Sequence, residues 1–103
     1  MANSKIIFEV DKSDTQLSHD IEQSVGGYAE IVSIDSFSGG DVIQVVITIS
    51  AIVAPVVSEL VKKYYESNKV TIKYDNIEIT ALGVKKVLAL LNEIKEKDSK
   101  HDN

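Results

Sequence analysis

Apolar residues change their spacing along this chain, and each spacing predicts an element. Lys5 to Val10 reads KIIFEV, a short β-branched and aromatic run that predicts a strand. Ile6 and Phe8 share one face of it, with Ile7 and Val10 assigned to the other. After Asp11–Lys12–Ser13–Asp14, the residues Leu17, Ile21 and Val25 recur every four positions. That stripe predicts a helix from Asp14 to about Ser24, opened by a Ser13/Gln16 capping box and stopped at Gly26–Gly27. Glu30 to Phe37 (EIVSIDSF) reads as a second strand, followed by a turn at 38–40. Near the C-terminus, KVTIKY, Asp75–Asn76 and IEIT form the pattern of a two-residue β-hairpin. Its register pairs Tyr74 with Ile77, Ile72 with Ile79 and Val70 with Ala81 on one face. Lys73 then lies opposite Glu78, and Thr71 opposite Thr80. Val84, Val87, Leu88, Leu91 and Ile94 mark a final helix from Val84 to about Lys97, and residues 98–103 read as a disordered polar tail.

Between these lies DVIQVVITISAIVAPVVSELVKKYY, residues 41–65, the densest run of Val and Ile in the chain. From Val53 onward it is helical in pattern: Val53, Val56, Val57, Leu60, Val61 and Tyr64 follow the 3.6-residue period. Its first half supports two readings. As a helix it would be capped by Asp41, run to about residue 66 and bend at Pro55, but it would be apolar nearly all round. As a strand over 42–49 it alternates cleanly, with Ile43, Val45, Ile47 and Ile49 on one face. The strand reading pairs it with the second strand, Val32 opposite Ile47, Ile34 opposite Val45 and Asp35 opposite Gln44. The length of the apolar run also admits a membrane-associated segment over 42–61, against which stand Gln44, Glu59 and Pro55.

A chain of 103 residues makes one domain, here residues 1–97. Its formal charge of −5 gives no general attraction to nucleic acid, so none is expected as a partner. It has no cysteine, hence no disulfide and no thiolate metal site. The N-terminal MANSKIIFEVDKSD lacks the apolar core of a signal peptide, so a cytoplasmic location is expected.

Candidate chemistry is sparse. His19 sits beside Asp20 and Glu22, but no second His follows at the fourth position, and a solvated helix face explains it better than a metal site. His101 lies in the tail. Gly39–Gly40 lacks the flanking residues of a phosphate-binding loop. Tyr64–Tyr65 after Lys62–Lys63 reads as core and surface rather than as a stacking patch for nucleic acid. The sequence therefore predicts no catalytic residues, no cofactor and no metal. It does predict surplus apolar surface. If the first half of the central stretch is helical, Val42, Val46, Ile49, Ile52 and Val53 are the candidates to meet a protein partner or a second copy of the chain.

The order of features resembles the effector-associated constant component family, small domains of bacterial conflict systems. The residues that carry the likeness are DVIQVVITISAIVAPVVSELVKKYY, KVTIKYDNIEIT and GVKKVLALL, a pattern over nearly the whole chain that transfers no functional residue. The resemblance implies a non-catalytic adaptor that couples recognition to an effector partner. It also favours helix for 41–66. The expected fold is thus α+β in two layers, in the order β-α-β-α-β-β-α. The strand alternative gives a ferredoxin-like βαββαβ core followed by a further βα. The alternatives for function are a small membrane-associated protein and a ferredoxin-like ligand-binding domain or enzyme subunit.

Overall fold

A computed structural model describes residues 4–34, 40–75, 77–80 and 83–101, with side chains to residue 94. The elements in chain order are β1 (Lys5–Asp11), α1 (Thr15–Val25), a 3₁₀ turn (Gly26–Tyr28), β2 (Ala29–Ile34), β3 (Val42–Thr48), α2 (Ala54–Tyr64), β4 (Val70–Tyr74), β5 (Ile77–Glu78) and α3 (Val84–His101). The fold is α+β, with one antiparallel sheet ordered β2-β3-β1-β4-β5 and three helices.

The central stretch is where the leading expectation from sequence gives way. Residues 42–48 are a strand and only 54–64 are helix, so the single bent helix over 41–66 is overturned in favour of the strand alternative. The physical reason is that β-branched alternation offers two half-buried faces, whereas a helix of the same residues would need apolar cover on every side. As a strand, this segment pairs with β1 on one side and β2 on the other. Pro55 lies in the first turn of α2, where its missing N–H leaves no bond unmade, so it opens the helix rather than bending it. Ser50 prepares that start. Its carbonyl accepts from the Ala54 N–H at 2.8 Å and its Oγ from the Val53 N–H at 3.4 Å.

The first four strands with α1 and α2 make the ferredoxin-like βαββαβ order, in which each βαβ unit leaves room for one strand between its two. Across the sheet, three rows of inward side chains line up. Ile6 lies between Ile47 and Tyr74, Phe8 between Val45 and Ile72, and Val10 between Ile43 and Val70. Val10 thus joins Ile6 and Phe8, not Ile7, as the period of two requires. Ile21 and Val25 of α1 and Val57, Leu60, Val61 and Tyr64 of α2 are buried against these rows. The α3 residues Val84, Val87 and Leu91 complete the core, with α3 packed chiefly on α2.

Local signals place the remaining elements. Asp14, not Ser13, caps α1: its carboxylate accepts from the Leu17 N–H at 3.4 Å. Ser13 instead donates its hydroxyl and its N–H to Asp11 Oδ1, at 2.6 and 2.8 Å, which holds the Asp11 carboxyl below the usual carboxylate range. Gln16 bonds Asp20 rather than reaching back to the cap. Gly26, at φ +57°, ends the helix as expected. In the hairpin, Asp75 takes φ +49°, and the pairs Lys73–Glu78 and Tyr74–Ile77 form in the predicted register. The Asp75 N–H donates to the Lys5 carbonyl at 2.9 Å and its carboxylate accepts from the Lys5 N–H at 2.8 Å, tying the hairpin to the start of β1. The expected turn residues 38 and 39, Asn76 and the pair partner Ala81 lie outside the described residues.

The second strand begins earlier than its sequence suggested. The register is Ala29–Ile47, Ile31–Val45 and Val32–Gln44. Val32 and Ile34 therefore point away from the helices, opposite to the expected inward placement. The pairing is three residues out of the expected register, with Ala29 and not Val32 opposite Ile47, and an odd shift exchanges the two faces.

Phe8→Ala is expected to cost about 3–5 kcal/mol, because it empties the centre of the inward rows. Pro55→Ala should stay within about 1 kcal/mol of the parent and Ile52→Ala within about 0.5 kcal/mol, since neither removes core packing. Urea unfolding monitored by circular dichroism measures all three. Asp11→Asn should also flatten the acid side of the stability profile. A carboxyl with a lowered folded pKa stabilises fully above its unfolded value and loses that contribution as pH falls through the folded one.

Candidate interaction surface

Among the described residues, the three helices bear on one side of the sheet and no element covers the other. The outward residues of the strands follow from the registers: Ile7 and Glu9 from β1, Val42, Gln44 and Val46 from β3, Glu30, Val32 and Ile34 from β2, and Thr71 and Lys73 from β4. Ile7 lies between Val46 and Lys73, Val32 opposite Gln44, and Ile34 opposite Val42. Ile7 is almost fully screened by these neighbours, whereas Val32, Val42 and Val46 are half-buried and Ile34 is exposed. The result is an apolar strip running from Ile7 across β3 to the β2 edge.

A polar group interrupts this strip at the centre of the sheet. Glu9 Oε2 accepts from Gln44 Nε2 on one side and from Lys73 Nζ, at 3.1 Å, on the other. The pair is partly screened, with the Lys73 and Glu9 side chains 32% and 17% exposed. The Glu9 carboxylate therefore bridges three strands, and its charge is matched where it would otherwise sit on an uncovered apolar face.

The five residues singled out from sequence separate in the structure. Val42 and Val46 lie on this helix-free face. Ile49 and Val53 are buried in the core, and Ile52 is 66% exposed in the turn before α2, away from the face. Ile7 lies on the face opposite Ile6 and Phe8 as expected, whereas the outward placement of Val32 and Ile34 was missed, because it depends on a register that local pattern does not fix.

A concavity of about 680 Å³ lies between the end of α1 and α2. Ser24, Pro55, Val56, Glu59, Leu60, Lys62 and Lys63 line it, so an apolar floor carries cationic residues at its rim. Lys62 and Glu59 pair at 3.7 Å with both side chains largely exposed, which adds little stability. His19 is exposed on α1, and among the described residues no group of three His, Cys, Asp or Glu is placed to hold a metal ion. Among them also, no helix is long and apolar enough to cross a membrane, and the 42–61 run divides between β3 and α2.

The Glu9–Lys73 pair should show a coupling of about 0.5–1 kcal/mol in a double-mutant cycle built from Glu9→Gln and Lys73→Met, given its partial exposure. Denaturant unfolding of the four proteins reads it directly.

No protein-family model, curated protein or solved structure matches this chain.

Proposed function

We propose that this domain is a non-catalytic protein-interaction module that docks a protein partner on the helix-free face of its sheet. The observation that carries the reading is the apolar strip of Ile7, Val32, Ile34, Val42 and Val46, set around the Glu9–Lys73 pair. A one-sided two-layer fold has its second sheet face available, and apolar side chains set around a polar centre there are the form that protein contact sites take. The matched charge pair within the strip would orient a partner without leaving a buried charge uncompensated. The resemblance of residues 41–65, 69–80 and 83–91 to the effector-associated constant component pattern narrows the role. On that reading the module is a cytoplasmic adaptor of a bacterial conflict or defence system, and its partner is an effector encoded nearby.

A ligand-binding role is the second reading. It is favoured by the concavity between α1 and α2, whose volume falls within the range of about 300–1,000 Å³ usual for small-molecule sites.

The two readings divide on which surface responds to a partner. The protein is titrated with the purified products of the flanking genes, and its methyl resonances are followed. Perturbation centred on Val42, Val46 and Val32, with affinity reduced at least about 10-fold by Val46→Glu and unchanged by Leu90→Glu at an exposed position of α3, is the expected result. Perturbation confined to Val56 and Leu60, or no binding to any of those products, would overturn the docking proposal.

A further inference from the structure

We propose that two copies of this chain join edge to edge through β2, making one continuous ten-stranded sheet about a two-fold axis. This goes beyond the docking proposal and does not rest on it, since it uses the edge of the sheet and not its face.

The two ends of the sheet are not alike. At one end β5 has two residues, too few to template another strand. At the other, β2 has six, and no described strand pairs with its outer side. Edges of this length are normally blunted by Lys, Pro or a bulge. β2 has none of the first two and a single charge, Glu30, in the sequence AEIVSI. Apolar side chains gather there instead: Tyr28 is 53% exposed, Ile31 44% and Ile34 40%. The inner side of β2 is open because α1 packs on β1 and β3.

Symmetry restricts the partner strand. Antiparallel pairing of β2 with its own copy in one sheet requires a two-fold axis perpendicular to that sheet. Residues of like parity then face each other, and both helix layers remain on the same side. Three registers use the described strand. Centring on Glu30 sets two carboxylates directly opposite, which is unfavourable. Centring on Val32 places Ile31 against Ser33 and Ile34 against Glu30. Centring on Ile31 sets Ile31 against its own mate, Ala29 against Ser33 and Glu30 against Val32, and brings Ile34 beside Tyr28, the last residue of the 3₁₀ turn before the strand. That register gives each exposed large apolar residue of the edge an apolar neighbour. This self-complementarity, together with the unpaired backbone donors and acceptors, selects a second copy of the chain as the occupant. On the outward face, Val32 and Ile34 of one copy would meet Glu30 and Tyr28 of the other.

The test combines hydrodynamics with a cross-link. Sedimentation velocity over a dilution series should show a reversible dimer. Ile31→Lys, which alters an exposed position, should weaken it at least about 10-fold, while Ile52→Lys should leave it unchanged. Because the chain has no cysteine, Ile31→Cys should form a disulfide-linked dimer under mild oxidation, and Ser33→Cys should not. The cross-link does not depend on how Ile31→Lys folds. A monomer at all concentrations up to about 1 mM, the weak limit of specific association, would overturn the proposal. So would a dimer indifferent to Ile31→Lys when circular dichroism shows that variant folded, or a cross-link formed through Ser33 and not Ile31.

Discussion

The row Val45–Phe8–Ile72 is the contact on which the structure depends. Phe8 lies at the middle of the central strand, fully buried, with one inward neighbour on β3 and one on β4. The rows above and below, Ile47–Ile6–Tyr74 and Ile43–Val10–Val70, repeat the arrangement. A sheet surface this uniformly apolar must be covered, and the stripes of α1 and α2 have the spacing to cover it. The hairpin follows the same constraint, since Asp75 clamps the end of β4 to Lys5 at the start of β1.

Covering one face of the sheet uses all three helices. α3 packs on α2 and broadens the same layer, leaving the opposite face to short β-branched side chains around Glu9, Gln44 and Lys73. The outward strip and the unblunted β2 edge are therefore consequences of one asymmetry, a five-stranded sheet with a single helical layer. They are also the surfaces to which the two proposals made here assign partners, one a different protein and one a second copy.

Elements with contrast between apolar and polar positions could be read from sequence. The stripe from Val53 to Tyr64 predicted the buried side of α2, and the Asp75–Asn76 hairpin register was correct where it is described. Residues 42–49 also alternate cleanly in β-branched residues, and family resemblance tipped the reading to helix against that local preference. Pro55 was read as a bend because its place in the helix depends on where the helix starts. The β2 register failed for a different reason. Strand pattern alone does not set pairing: β2 pairs with β3 three residues away from the expected register, and an odd shift reverses which residues face the core. The same two errors explain the mixed fate of the candidate surface: Val42 and Val46 face outward from β3, while Ile49 and Val53 close the junction between strand and helix.

Residues 42–48 form a strand paired with β1, and helix begins only at Ala54. Backbone NMR of the isotopically labelled protein tests this assignment. Extended Cα and Cβ shifts from Val42 to Thr48, cross-strand contacts linking Phe8 with Val45 and Ile6 with Ile47, and helical shifts from Ala54 onward are expected. Helical shifts running unbroken from Val42 through Tyr64, without those cross-strand contacts, would contradict it.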